Sequence, residues 1–174
     1  MTARHQSRGR TILVATDGSE GAQRALQVAI DLAKASGDRL GLVAVWHELR
    51  ADLGIPLYEL IPSLIEVPRD WAAETLAADA AKASAAGVEV ETLRRYGHPA
   101  REICGVAREM RPRLIVIGST GWGPIDGTLF GSVSKGVVNH APCPVLVVPE
   151  SAFRTQSNSA RGHEAARSRE AVPR

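Results

Sequence analysis

Cysteine is scarce in this chain: Cys104 and Cys143 are the only two in 174 residues, and they fall in different expected elements. That number and separation exclude a disulfide framework and a metal knuckle, leaving buried, reduced thiols as the expectation. Long apolar runs are missing as well. No stretch approaches the roughly 20 residues needed to span a bilayer, and the polar first ten residues have no apolar segment behind them of signal-peptide type, so a soluble, cytoplasmic protein is expected. Aromatic residues are few, but the apolar and charged fractions are ordinary, and the length suits one domain with a substantial core.

A basic stripe is also lacking. The formal net charge of +2 would suit a nucleic-acid binder, but it comes from the ends. Residues 1–10 carry three Arg and no acid, and residues 151–174 carry five Arg against two Glu. Residues 11–150 hold 13 basic and 17 acidic side chains, a net −4, which is the wrong sign for a phosphate-backbone surface. The expected organisation is a disordered segment over 1–10, a folded domain over 11–150, and a disordered basic tail over 151–174, poor in large apolar residues.

Within the domain, strand and helix patterns alternate, the sequence form of βαβ units on a parallel sheet. Strands are expected over 11–16, 40–46, 88–93, 114–118 and 145–148. The third alternates apolar and polar residues, as an edge strand does. Four helices lie between them. Ser19 is a candidate N-cap for the first, with Ala22, Ala25, Leu26, Ala29 and Ala33 on its apolar face and Gly37 at its end. The connection after the second strand contains Pro56, Pro62 and Pro68 and reads as irregular, so the alanine-rich second helix is expected over 70–86, ending at Gly87. Pro99 begins the third helix and Arg111-Pro112 stops it; the fourth runs from Ser132 to about His140.

The most informative stretch is 114–134. The run Leu114-Ile115-Val116-Ile117 is continuous in its apolar character, as in a parallel strand buried on both faces. Gly118 and Gly121 then open a loop whose backbone has no Cβ to obstruct close approach. Gly131-Ser132-Val133-Ser134 begins a helix, whose unpaired N–H groups and positive dipole end favour an anion such as a phosphate.

The spacing Gly118-x2-Gly121-x9-Gly131-Ser132 closely resembles the nucleotide-binding signature of the universal stress protein family. The segment 12–19, ending in Asp17-Gly18-Ser19, resembles that family's opening strand and turn, and 142–149 its closing strand, so the resemblance covers about 10 to 150. Arg113 stands where an acid is common, and Trp122 where a polar or basic residue is frequent; neither replaces a motif glycine.

The resemblance implies an α/β fold, a doubly wound five-stranded parallel sheet of order 3-2-1-4-5 with helices on both faces, of the adenine nucleotide alpha-hydrolase-like kind. In such sheets ligands bind where the strand order reverses, beyond the carboxyl ends of the strands. Asp17 and Gly118 are both expected there. The implied ligand is ATP, with magnesium or manganese as an open accompaniment. By the same resemblance, Ala15, Thr16 and Val45 lie around the adenine, Asp17 takes ribose or adenine donors or a water of a bound metal ion, and Ile117 touches the base. Gly118, Gly121 and Gly131 shape the loop; Ser132, Val133 and Ser134 face the phosphates. For each there is a plainer structural role: Asp17 as a turn residue, Ser132 as a helix-start residue, and Ala15, Val45 and Ile117 as core. Lys135 is expected in solvent because the order Gly-Lys-Ser/Thr of a P-loop is missing; His98 beside Pro99 is near enough in the loop to face the site but is expected to be structural, and His47 and His140 have no metal-ligand spacing.

The implied function is an ATP-binding regulatory module of the stress response. Neither paired carboxylates near the loop nor a serine with an evident base is present in the sequence, so at most slow hydrolysis is expected. Two alternatives share the fold: a nucleotide-free interaction domain, and an adenylating enzyme. The latter usually has a His-x-x-His or Ser-Gly-Gly-x-Asp-Ser type motif after the first strand, where this chain has Asp17-Gly18-Ser19-Glu20-Gly21. A homodimer is expected through Val145–Val148, an apolar strand at the end of the sheet.

Overall fold

The structure, a computed structural model, describes residues 10–46, 66–120 and 131–149, with 66–70 described by their backbone alone. Five strands, β1 (Thr11–Ala15), β2 (Arg39–Trp46), β3 (Val90–Tyr96), β4 (Leu114–Gly118) and β5 (Val145–Val148), form one sheet in the order β3-β2-β1-β4-β5. Every pairing is parallel. Among the described residues four helices connect them: α1 (Glu20–Ser36), α2 (Glu66–Ala85), α3 (Pro99–Met110) and α4 (Ser132–His140). None of these is long and apolar enough to cross a membrane. The expected disordered ends lie outside the described residues, apart from Arg10 at the start.

The two-residue period of a strand divides the core into two layers. Ile12 and Val14 of β1, Leu40, Leu42 and Ala44 of β2 and Val116 of β4 face α1 and α2, meeting Leu26, Ile30 and Leu76. Leu13, Ala15, Val43, Ile115 and Ile117 face α3 and α4, meeting Ile103, Val106, Ala107 and Val137. Since both faces are covered, the central strands are apolar throughout rather than alternating.

The termini of α1 follow from its sequence. The Ser19 hydroxyl accepts the Ala22 N–H at 3.2 Å, and Gly37, at φ 71°, donates its N–H to the Ala33 carbonyl. Two elements differ from expectation by more than one residue. The second helix begins at Glu66, with Pro68 inside its first turn; the first-turn amides have no acceptor within a helix, so a proline there removes no bond. The third strand runs over Val90–Tyr96 instead of 88–93. Val88 is buried and donates its N–H to the Ala83 carbonyl, closing the end of α2, while β2 is long enough to pair onward to Tyr96.

Candidate functional site

β1 and β4 are neighbours whose following helices pack on opposite faces, so a crevice opens past their carboxyl ends. Three segments meet there: the β1–α1 turn, the exit of β4, and the start of α4.

In the turn, Thr16 is 5% exposed and donates its N–H to the Val43 carbonyl, extending the β2 pairing one residue past the strand. Gly18 adopts φ 72°, a left-handed conformation glycine takes without a Cβ penalty. The Asp17 carboxylate accepts the Ser19 N–H at 3.0 Å, so its role as a turn residue is real, and its side chain stays half-buried at the rim. Ala15 and Ile117 are buried and Val45 half-buried on the α3 and α4 side, all at strand carboxyl ends. Beyond Val45, Trp46 and Tyr96 pair across β2 and β3 with ring centroids 4.6 Å apart.

At the exit of β4 the Ser119 N–H donates to the Val148 carbonyl, and the Ser119 carbonyl accepts the Gly131 N–H at 2.7 Å. The loop is therefore pinned shut at its base. Gly121 and Trp122 lie outside the described residues. Gly131 is the N-cap of α4 and has no side chain to cap it, so the first-turn amides of Ser132, Val133 and Ser134 have neither a helical acceptor nor a capping oxygen from Gly131.

The serines at this end differ in their surroundings. Ser132 is exposed, whereas Ser134 is buried, with its hydroxyl 2.9 Å from the carbonyls of both Ser119 and Gly131. A hydroxyl has one proton to give, so, against expectation, the Ser134 hydroxyl ties Ser119 to the helix start instead of facing the crevice, and only the Ser134 amide is left for a phosphate. Lys135 is exposed, as is His98, which makes no side-chain cap bond. Thus the structure brings Ala15, Thr16, Asp17, Ile117, Gly118 and the 131–134 turn to one edge.

Sequence reasoning missed two features. Gly21, in the first turn of α1, packs against the exit of β4: a Cβ on it would fall 2.5 Å from the Thr120 carbonyl oxygen. Asp79 of α2 is 1% exposed, and its carboxylate accepts the Thr16 hydroxyl at 2.7 Å. The spacing Ala72, Leu76, Asp79, Ala83 puts that acid on the buried stripe of its helix, a signal available in the sequence. The two thiols lie in the α3 and α4 layer. Burial pushes Cys104 up, with the Arg108 charge opposing, and burial together with nearby Cys104 pushes Cys143 up, so neither is an activated nucleophile.

The signature of the Universal stress protein family matches residues 9–149. This chain belongs to that family. It is 38% identical over 141 residues to a Thermus aquaticus universal stress protein, covering 80% of this chain and 98% of that one. A universal stress protein crystallised in complex with cAMP superposes with a TM-score of 0.59 at 27% identity, covering 82% of this chain and 98% of that one. An Archaeoglobus fulgidus member in complex with dAMP gives 0.56 at 25%, covering 80% and 98%.

Proposed function

We propose that this universal stress protein binds an adenine nucleotide, ATP in the first instance, across the β1/β4 crevice and acts as a nucleotide-dependent regulatory module of the stress response. The observation that carries this reading is the uncapped start of α4 at Gly131, facing the same strand-order reversal as the Asp17 turn. Amides at a helix start suit phosphate oxygens, and a rim carboxylate suits ribose hydroxyls or the adenine amino group. That two similar proteins were crystallised with cAMP and dAMP supports adenine as the base.

In this reading Ala15, Thr16, Val45 and Ile117 surround the base and Asp17 holds the nucleoside. Gly118, Gly121 and Gly131 keep side chains out of the path, and the Ser132 hydroxyl with the main-chain amides of Ser132, Val133 and Ser134 receives the phosphates. Among the described residues no three His, Cys, Asp or Glu side chains converge as a metal site, so magnesium or manganese would arrive on the phosphate oxygens. The Val145–Val148 edge pairs with a second copy, and occupancy is transmitted through that dimer. Catalysis is at most a slow hydrolysis.

Mass spectrometry of small molecules released from freshly purified protein, followed by calorimetric titration with ATP, tests this. Released ATP and a saturable isotherm are expected. Another adenylate would favour an adenylating enzyme, and calorimetry silent at millimolar nucleotide would favour the interaction domain.

A further inference from the structure

We infer that Asp79 is a positioning residue of the nucleotide site, acting from α2 through the Thr16 hydroxyl to hold the β1–α1 turn in its binding shape. This rests on the nucleotide-binding reading above.

Asp79 interrupts an otherwise apolar buried stripe, between Leu76 and Ala83. Folding alone does not call for it, because a buried carboxylate must be desolvated and an apolar side chain of similar volume commonly packs as well or better. Its oxygens are nonetheless fully assigned. Oδ2 accepts the Thr16 hydroxyl at 2.7 Å; Oδ1 accepts the Gln23 amide at 2.8 Å and has the Lys82 ammonium at 3.7 Å. Lys82 in turn donates to Gln23 Oε1. One carboxylate therefore joins the end of β1, the second turn of α1 and the second half of α2.

The direction of the Thr16 proton is what matters. A hydroxyl that gives its single proton to Asp79 keeps only acceptor capacity toward the turn, and it accepts the Gly18 N–H at 3.3 Å. Asp17 sits between this contact and the Ser19 N–H bond to its own carboxylate. The turn is thus anchored on both sides of the residue assigned to the nucleoside. Without the acceptor at position 79, the hydroxyl is free to rotate and donate elsewhere, and the Gly18 amide loses its fixed partner.

The test compares Asp79→Leu, Asp79→Asn, Thr16→Val and the double variant Thr16→Val/Asp79→Leu by calorimetric titration with ATP and with adenosine, beside urea unfolding. Asp79→Leu is expected to stay folded, since leucine completes the stripe, and to bind both ligands about tenfold more weakly, the loss of one fixed hydrogen bond. Equal losses for the two ligands are expected because the turn faces the nucleoside. Asp79→Asn should restore most of the affinity, because its Oδ1 can take the Thr16 proton while the Gln23 amide turns over to accept from its NH2 and the exposed Lys82 ammonium turns to water. Thr16→Val should match Asp79→Leu, and the double variant should be no worse than either. A purely structural role would shift the urea midpoint and leave the affinity of folded protein unchanged, overturning the inference. Additive losses in the double variant would overturn it too. Should Asp79→Leu fail to fold, Thr16→Val at wild-type affinity is the overturning result. Wild-type protein that binds neither ligand removes the nucleotide-binding reading itself, and this inference with it; wild-type binding with unaffected variants removes the inference alone.

Discussion

Gly118 at the end of β4 and Gly21 in the first turn of α1 meet backbone to backbone: a Cβ on Gly118 would lie 2.7 Å from the Gly21 carbonyl carbon and 2.8 Å from its oxygen. The first motif glycine therefore has a packing duty that any ligand role would share. Gly118→Ala is expected to destabilise the protein by about 1–3 kcal/mol, the usual range for overpacking. Equilibrium urea denaturation measures this, and an unchanged midpoint would contradict the contact.

Gly131 behaves differently. A Cβ there would come no nearer than 3.4 Å to the Ser119 oxygen, and its φ of −65° suits any residue. Gly131→Ser should gain a few tenths of a kcal/mol by capping α4. It should also weaken ATP binding, because the new hydroxyl occupies an amide meant for phosphate. Thermal unfolding and calorimetry on the same preparation check the pair, and a variant with unaltered ATP affinity would count against the phosphate cradle.

The thiols set a pH dependence. Both Cys104 and Cys143 are shifted upward in the fold, so above about pH 9 the unfolded chain ionises them while the native state keeps its protons. Stability contributed by the protonated thiols is complete below that pH and falls as pH rises through it. The loss of melting temperature between pH 8 and pH 10 should be smaller in Cys104→Ala/Cys143→Ala than in the wild type. An equal loss in both proteins would refute this origin.

At the sheet margin, the carbonyls of Pro144 and Val148 accept from Ile115 and Ser119, so alternation turns the amides of Val145 and Val147 outward. Val147→Pro should leave the β4 ladder intact and abolish pairing with a second copy. Light scattering at micromolar protein is expected to give a dimer for the wild type and a monomer for the variant; monomer for both would dispose of the edge dimer.

Much of the fold was legible because its causes are local. The apolar runs of β1 and β4, the Ser19 and Gly37 caps and Pro99 at the head of α3 each depend on residues within a few positions, and each element appears where those residues require it. The start of α2 is hidden in the sequence because Pro68 reads as a breaker, although a first turn accommodates it. The extent of β3 is hidden because its register belongs to β2, a separate segment of chain.

By itself the sequence determined the alternation of elements, the apolar central strands and the glycine spacing, since periodicity and backbone freedom are properties of neighbouring residues. Only the tertiary structure decided that Asp79 reaches Thr16, that Gly118 is pressed against Gly21, and that Ser134 turns to Ser119. Those contacts join positions far apart along the chain, and packing in three dimensions selects which of the many possible partners a hydroxyl, a carboxylate or a bare backbone will meet.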